Sequence, residues 1–170
     1  MSDHAIAARR STHSLRFEKA LRAAAMPGVM ARLSDIDLGD IGDLAAWIAI
    51  VDPAQETHSL KFSHAGAGVS RFLGRDAAGL DYLDFVDPAI TGDAFDSAFL
   101  MLSRPCGLWQ ITPALTDCGA TLDLEYTGYP VFDDARGRGQ IMALIRHPAA
   151  QAPRVAMVRH ATQWCWLDMR

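Results

Sequence analysis

The spacing of apolar residues changes character several times along the chain. Between Ser11 and Met26 they recur every three to four positions, so Phe17, Ala20, Leu21 and Ala24 share one face of a helix, opposite Arg16, Glu18, Lys19 and Arg22. Met26-Pro27-Gly28 stops that helix. A helix this short is marginal alone, so its stripe must dock, either on its own domain or on a second copy. Asp37 to Asp43 reads as turns or one helical turn. Leu44 to Val51 is a continuous apolar run, read as a buried strand whose first half is also compatible with helix, and Asp52-Pro53 ends it. From His58 to His64 the period is two: Leu60, Phe62 and His64 lie on one face, Lys61 and Ser63 on the other. The two runs predict an antiparallel hairpin.

The stretch from Phe62 to Asp87 starts as a strand and is broken by glycine. Gly66 and Gly68 precede a short helix carrying Val69, Phe72 and Leu73; Gly74 breaks it, and a second helical piece follows Asp76. Pro88 leads into a longer helix, with Thr91 or Asp93 as the cap and Phe95, Ala98, Phe99 and Leu102 facing inward. The last third is strand-rich. Trp109, Ile111 and Leu115 share one side of Leu108 to Thr116. Leu122, Leu124 and Tyr126 alternate with Asp123, Glu125 and Thr127, which predicts a dry face and a wetter face. Gln140 to Ile145 is a final core strand. The fold class is therefore α+β: an antiparallel five-stranded sheet (two strands, a helical middle, three strands) with an N-terminal amphipathic helix and a C-terminal extension. Residues 1–11 are expected to be disordered, 12–147 to form one domain, and 148–170 to be an extension. Trp164 and Trp166, two apart, suggest a strand in that extension with one buried face, added to a sheet edge.

Composition narrows the class. With 170 residues, half of them hydrophobic, and 4 Trp, 3 Tyr and 7 Phe, the chain can bury a real core. A formal net charge of −4 leaves no electrostatic footprint for nucleic acid. Cys106, Cys118 and Cys165 match no zinc spacing, so no metal site is expected and the thiols read as reduced. The N-terminus has no apolar signal core and no window is long enough for a membrane span, so the expectation is a soluble cytoplasmic protein.

The order of elements resembles a PAS domain. More narrowly, the chain is similar to stand-alone PAS-like proteins of alphaproteobacteria. The likeness is carried by a segment from Met26-Pro27 through Arg32 to Asp35-Ile36-Asp37 and by Phe72-Leu73-Gly74-Arg75-Asp76, closed by Gly79. It covers about residues 12–147. The proline expected after Asp37 is replaced by Leu38, and the tail lies outside the pattern. The resemblance implies a bacterial sensory or regulatory domain in signal transduction, without enzymatic activity. It would act through a small ligand or a signalling protein partner. A homodimer is also implied, with Phe17, Leu21, Trp47 and Trp164 as interface candidates.

Gly74 and Gly79 can take positive φ or allow close approach, Asp76 can cap a turn and Arg75 can pin the loop, so these four read as structural pins. Phe62, Phe72, Tyr82, Phe85, Phe95, Phe99, Trp109, Tyr126 and Met142 would converge between helix and sheet, either as a filled core or around a ligand-sized cavity. His64, Gln110 and Tyr126 are the polar groups placed to orient a small organic ligand. A haem would need an axial histidine. The long helix has none, and His64 is the single inward candidate, which argues against haem. A reactive flavin cysteine is missing from Val69 to Leu73. The alternative from another class is a cone-shaped pocket enzyme like the ketosteroid isomerases, with Asp84 or His64 as base.

Overall fold

The computed structural model describes residues 9–26, 29–37, 39–147 and 153–169. Helix α1 (Thr12–Ala24) forms where the period places it. Ser11 caps it, the hydroxyl accepting from the Ser14 N–H, one of the first-turn amides that no helical carbonyl can reach. Of the stretch expected to be disordered, residues 1–8 lie outside the described residues, whereas Arg10 is held by Glu18 and Ser14.

A two-residue strand β1 (Ala31–Arg32) is followed by 3₁₀ turns at Leu33–Asp35 and Gly39–Trp47. The first half of the apolar run thus coils, and β2 (Ile48–Ala54) starts only at Ile48 and continues through Pro53. Pro53 is tolerated because the β2 ladder with β6 (Arg138–Arg146) ends at Val51, so only β3 (Ser59–Ala65) still flanks it. The helical middle comprises α2 (Ala67–Phe72), 3₁₀ turns at Tyr82–Phe85 and Pro88–Ile90, and α3 (Thr91–Ser103). Neither Thr91 nor Asp93 caps α3. The chain enters it from the Pro88–Ile90 turn, which Asp87 caps by accepting from the Ala89 N–H. Its buried stripe is Phe95, Ala98 and Met101, with Phe99 and Leu102 half-buried.

Strands β4 (Cys106–Thr116), β5 (Thr121–Asp133) and β6 follow as antiparallel neighbours. The sheet runs β3-β2-β6-β5-β4, with β7 (Val155–Val158) and β8 (Gln163–Asp168) both antiparallel on β4 and β1 parallel on β5. It therefore has eight strands where five were expected. The tail behaves as one edge strand along β4, interrupted between Val158 and Gln163. Its buried residues are Val155, Val158, Leu167 and Met169, so the parity is opposite to the one expected from the tryptophans: Trp164 is 52% exposed.

The two sheet faces carry different layers. The helical middle covers one, here the inner face. Helix α1 covers the other, where Phe17 and Leu21 pack with Leu44, Trp109, Tyr129 and Leu144. The face of β5 expected to be wetter is thus roofed. Ser14 and Thr127 share a hydrogen bond of 2.7 Å, and Glu125 accepts from the Ser11 N–H at 2.9 Å and from Trp109 Nε1 at 2.8 Å. Polar residues on this face are roofed because α1 brings polar partners to them. Beneath the helix Glu18 lies between Arg10 and Arg22, next to the buried Tyr129. Among the described residues no helix is long and apolar enough to cross a membrane.

Candidate functional site

Strand register opens a cavity between α3 and the inner face. Ala49 on β2 pairs with Ala143 on β6, and Ala143 pairs with Gly128 on β5, so small side chains form a row across the three central strands. Helix α3 lays Ala94, Ser97 and Ala98 over them. Small residues opposite small residues leave room that the neighbouring chains do not refill, and the result is a cavity of about 280 Å³. Gly128 has a second use. The Tyr126 phenol lies over it, and a β-carbon there would collide with the hydroxyl.

The walls are mostly apolar: Val51, Leu60, Phe62, Met101, Leu108, Ile141 and Ile145. Five neutral polar side chains interrupt them, one of them Ser97 on α3. Gln110 faces Tyr126 across the β4–β5 ladder, Thr112 follows on the same face of β4, and Tyr82 comes from its 3₁₀ turn. Thr112 is 3% exposed, and its Oγ1 has no hydrogen-bond partner. Burial pushes the Tyr82 phenol up to about 12, and burial together with the neighbouring Tyr82 raises Tyr126. Both phenols are neutral donors at ordinary pH. The charged side chains Asp93 and Arg159, and with them His160, are all exposed and stand at the rim. There β8 adds Trp164 and Trp166, packed edge to face at 6.2 Å.

Of the aromatic residues expected to converge, Phe62, Tyr82 and Tyr126 line this cavity. Phe72 borders a smaller recess beside it. Phe85 packs with Phe62 and Val69 behind the wall. Phe95 sits deeper in the α3 core, stacked on His58 at 3.8 Å and against Phe99 at 4.7 Å. Trp109 and Met142 are on the opposite face, under α1. Alternation explains both: with Gln110 inward Trp109 must point outward, and Met142 pairs with Ile50 and Tyr129, which also face α1.

His64 is exposed rather than inward. A register shift opposite the Ile50–Val51 step pairs Val51 with Phe62 but Ile50 with His64, inserting Ser63 as an extra residue. A bulge of one residue reverses the parity beyond it, so His64 leaves the face of Leu60 and Phe62.

The loop residues are placed as follows. Gly74 and Gly79 have φ of 75° and 81°, where a side chain would be strained. Asp76 accepts from the Ala78 N–H at 3.1 Å, and the Arg75 guanidinium lies over the Phe85 ring at 5.1 Å. Among the interface candidates, Phe17 and Leu21 are fully buried under their own helix and so offer no surface to a second copy. Trp47 is half-buried, and Trp164 alone of the four is exposed.

Thr112, Ser97, Gly128, Ala49, Ala143 and Arg159 are not singled out by the sequence, which marks Trp164 only as an interface candidate and Asp93 only as a helix cap. The legible signal was Gln110, Thr112 and Tyr126-x-Gly128 on cavity-facing parity. The small-residue row depends on which strands are neighbours, and no local pattern carries that. Asp84 and Asp123 are exposed and Glu125 is engaged on the outer face, so none of these carboxylates enters the cavity. Among the described residues no group of three or more His, Cys, Asp or Glu is placed to hold a metal ion, and the three cysteines are free thiols. No protein-family model matches the chain, and no curated protein matches it.

Proposed function

We propose that this chain is a sensory or regulatory domain of the PAS type that works by holding a small organic molecule between α3 and the sheet. The observation that carries the reading is the cavity of about 280 Å³ with apolar walls and a few convergent neutral polar groups, which is how small-molecule sites are built. Strand order supports it: the first long strand, β2, sits centrally beside β6, as in a PAS sheet, with the helical middle crossing one face. The position of the carboxylates supports a binding role over proton abstraction, because no buried acid or imidazole reaches the cavity from the described residues. With His64 on the far face, an axial-ligand role for it is not part of the proposal.

Signalling would be a shift between packings of the tail. Val158 to Ala161 and the two tryptophans touch the cavity directly, whereas α1 lies on the other side of the sheet. The tail edge, with Trp164 exposed, is where the proposal places a signalling partner or a second copy.

Native mass spectrometry of the chain purified from cells tests the reading. A non-covalent small-molecule adduct on the wild type that is lost in Ala98→Leu supports it. A wild type that carries no adduct, and whose melting temperature none of a panel of neutral compounds of cavity size raises, overturns it.

A further inference from the structure

The polar groups of the cavity are arranged by depth, and the arrangement selects a ligand. Inside, every polar group is neutral: the hydroxyls of Thr112 and Ser97, the Gln110 amide and the phenols of Tyr82 and Tyr126. Charge is confined to the rim, where Asp93 and Arg159 are exposed and of opposite sign. An ionised group taken into the interior would lose its water and meet no counter-charge, a heavy penalty. A wholly apolar molecule would leave Thr112 Oγ1 as it now stands, 3% exposed by residue and without a partner. Buried hydroxyls are normally satisfied, and an unsatisfied one invites a polar atom from whatever fills the space. Gln110 and Thr112 stand two apart on one strand with Tyr126 opposite Gln110, so one ligand oxygen or nitrogen can meet two of them at once.

Size sets the other limit. A dry cavity of about 150 Å³ holds benzene, so a cavity of about 280 Å³ holds a molecule of roughly a dozen non-hydrogen atoms.

We infer that the cavity takes a compact, neutral, mostly apolar molecule, bicyclic in bulk, with one hydroxyl or carbonyl that bonds to Thr112 and its neighbours. This rests on the ligand-binding reading above and names the class of ligand for it. Thr112 is the residue that distinguishes this class from plain hydrocarbons.

The test is equilibrium dialysis of the full chain against 2-naphthol, naphthalene and 2-naphthoate near pH 7.5, with melting temperature as the check on folding. The expected order is naphthol tightest, naphthalene about fivefold weaker for want of the hydrogen bond, and naphthoate at least about tenfold weaker than naphthol. Thr112→Val should erase the preference for naphthol over naphthalene, and Thr112→Ser should retain it. Naphthoate binding as tightly as naphthol, or a preference untouched by Thr112→Val, overturns this ligand class and leaves the binding domain standing. Failure of all three probes to bind the folded wild type overturns the ligand class; the function falls with it only if the wild type also carries no adduct and no neutral compound of cavity size raises its melting temperature.

Discussion

Ala98→Leu separates a true cavity from a filled core by the sign of one number. Ala98 is 6% exposed on the inward stripe of α3 and lines the cavity beside Met101, Leu60 and Ile141. Leucine adds three carbons, and burying each contributes about 0.8 kcal/mol. Fixing the leucine rotamer costs about 0.5–1 kcal/mol, and helix propensity is nearly unchanged. The net expectation is a stabilisation of about 1.5 kcal/mol, an upper figure because the denatured chain already buries part of that surface. For a chain of 170 residues, that is a rise in Tm of about 3–6 °C. Urea unfolding followed by tryptophan fluorescence measures it, with an unchanged m-value showing that only stability has moved. If the space is filled, the same substitution overpacks the core and costs about 1–3 kcal/mol. A fall in the urea midpoint would therefore refute the cavity and everything built on it.

Three further outcomes follow from buried groups elsewhere. Glu18→Ala should cost about 3 kcal/mol in urea unfolding, because it strands Arg10, whose side chain is only 5% exposed; Asp43→Ala, which breaks an exposed pair with Arg16, should be near neutral. All three tyrosines have phenols raised by burial, Tyr82 to about 12. At pH 11 the native protein should show little of the 295 nm phenolate absorbance that the urea-unfolded chain shows. The sign for stability follows: the unfolded chain releases these protons near pH 10 and the folded one does not, so stability holds below pH 10 and falls as pH rises toward 12. An unfolding midpoint flat across that window would contradict the burial of the phenols. Gly107→Ala should lower stability by about 2 kcal/mol, because its β-carbon would collide with the buried Tyr129 ring; the urea midpoint reads it directly.

How much of this was legible in the chain depends on how local the cause is. Helix α1, the β2–β3 hairpin, α3 and the long strands β4 to β6 are carried by periodicity within single segments, and they appear where Phe17 to Ala24, Leu60 and Phe62, Phe95 and Ala98, and Leu122 to Tyr126 place them. The positive φ at Gly74 and Gly79 is equally local. The errors arose where one residue changes parity or a distant segment supplies a roof. Ser63 is a single inserted residue, and it moves His64 to the other face. Alternation at Asp123, Glu125 and Thr127 predicts water on one side, yet Ser11 and Ser14, more than a hundred residues away, satisfy Glu125 and Thr127 there.

The sequence by itself determined the class of the protein, α+β with an antiparallel sheet and a helical middle, because side-chain period is set by backbone geometry within a few residues. It also supplied Phe62, Tyr82, Gln110 and Tyr126 as candidates for one site. Tertiary structure alone decided that the tail becomes an edge of the sheet and that Trp109 and Met142 face away from the site. It alone decided that a space exists at all. A cavity is a sum over side chains from strands far apart in the chain, and Ala49, Ala143 and Gly128 mean nothing together until the register aligns them beneath Ala98.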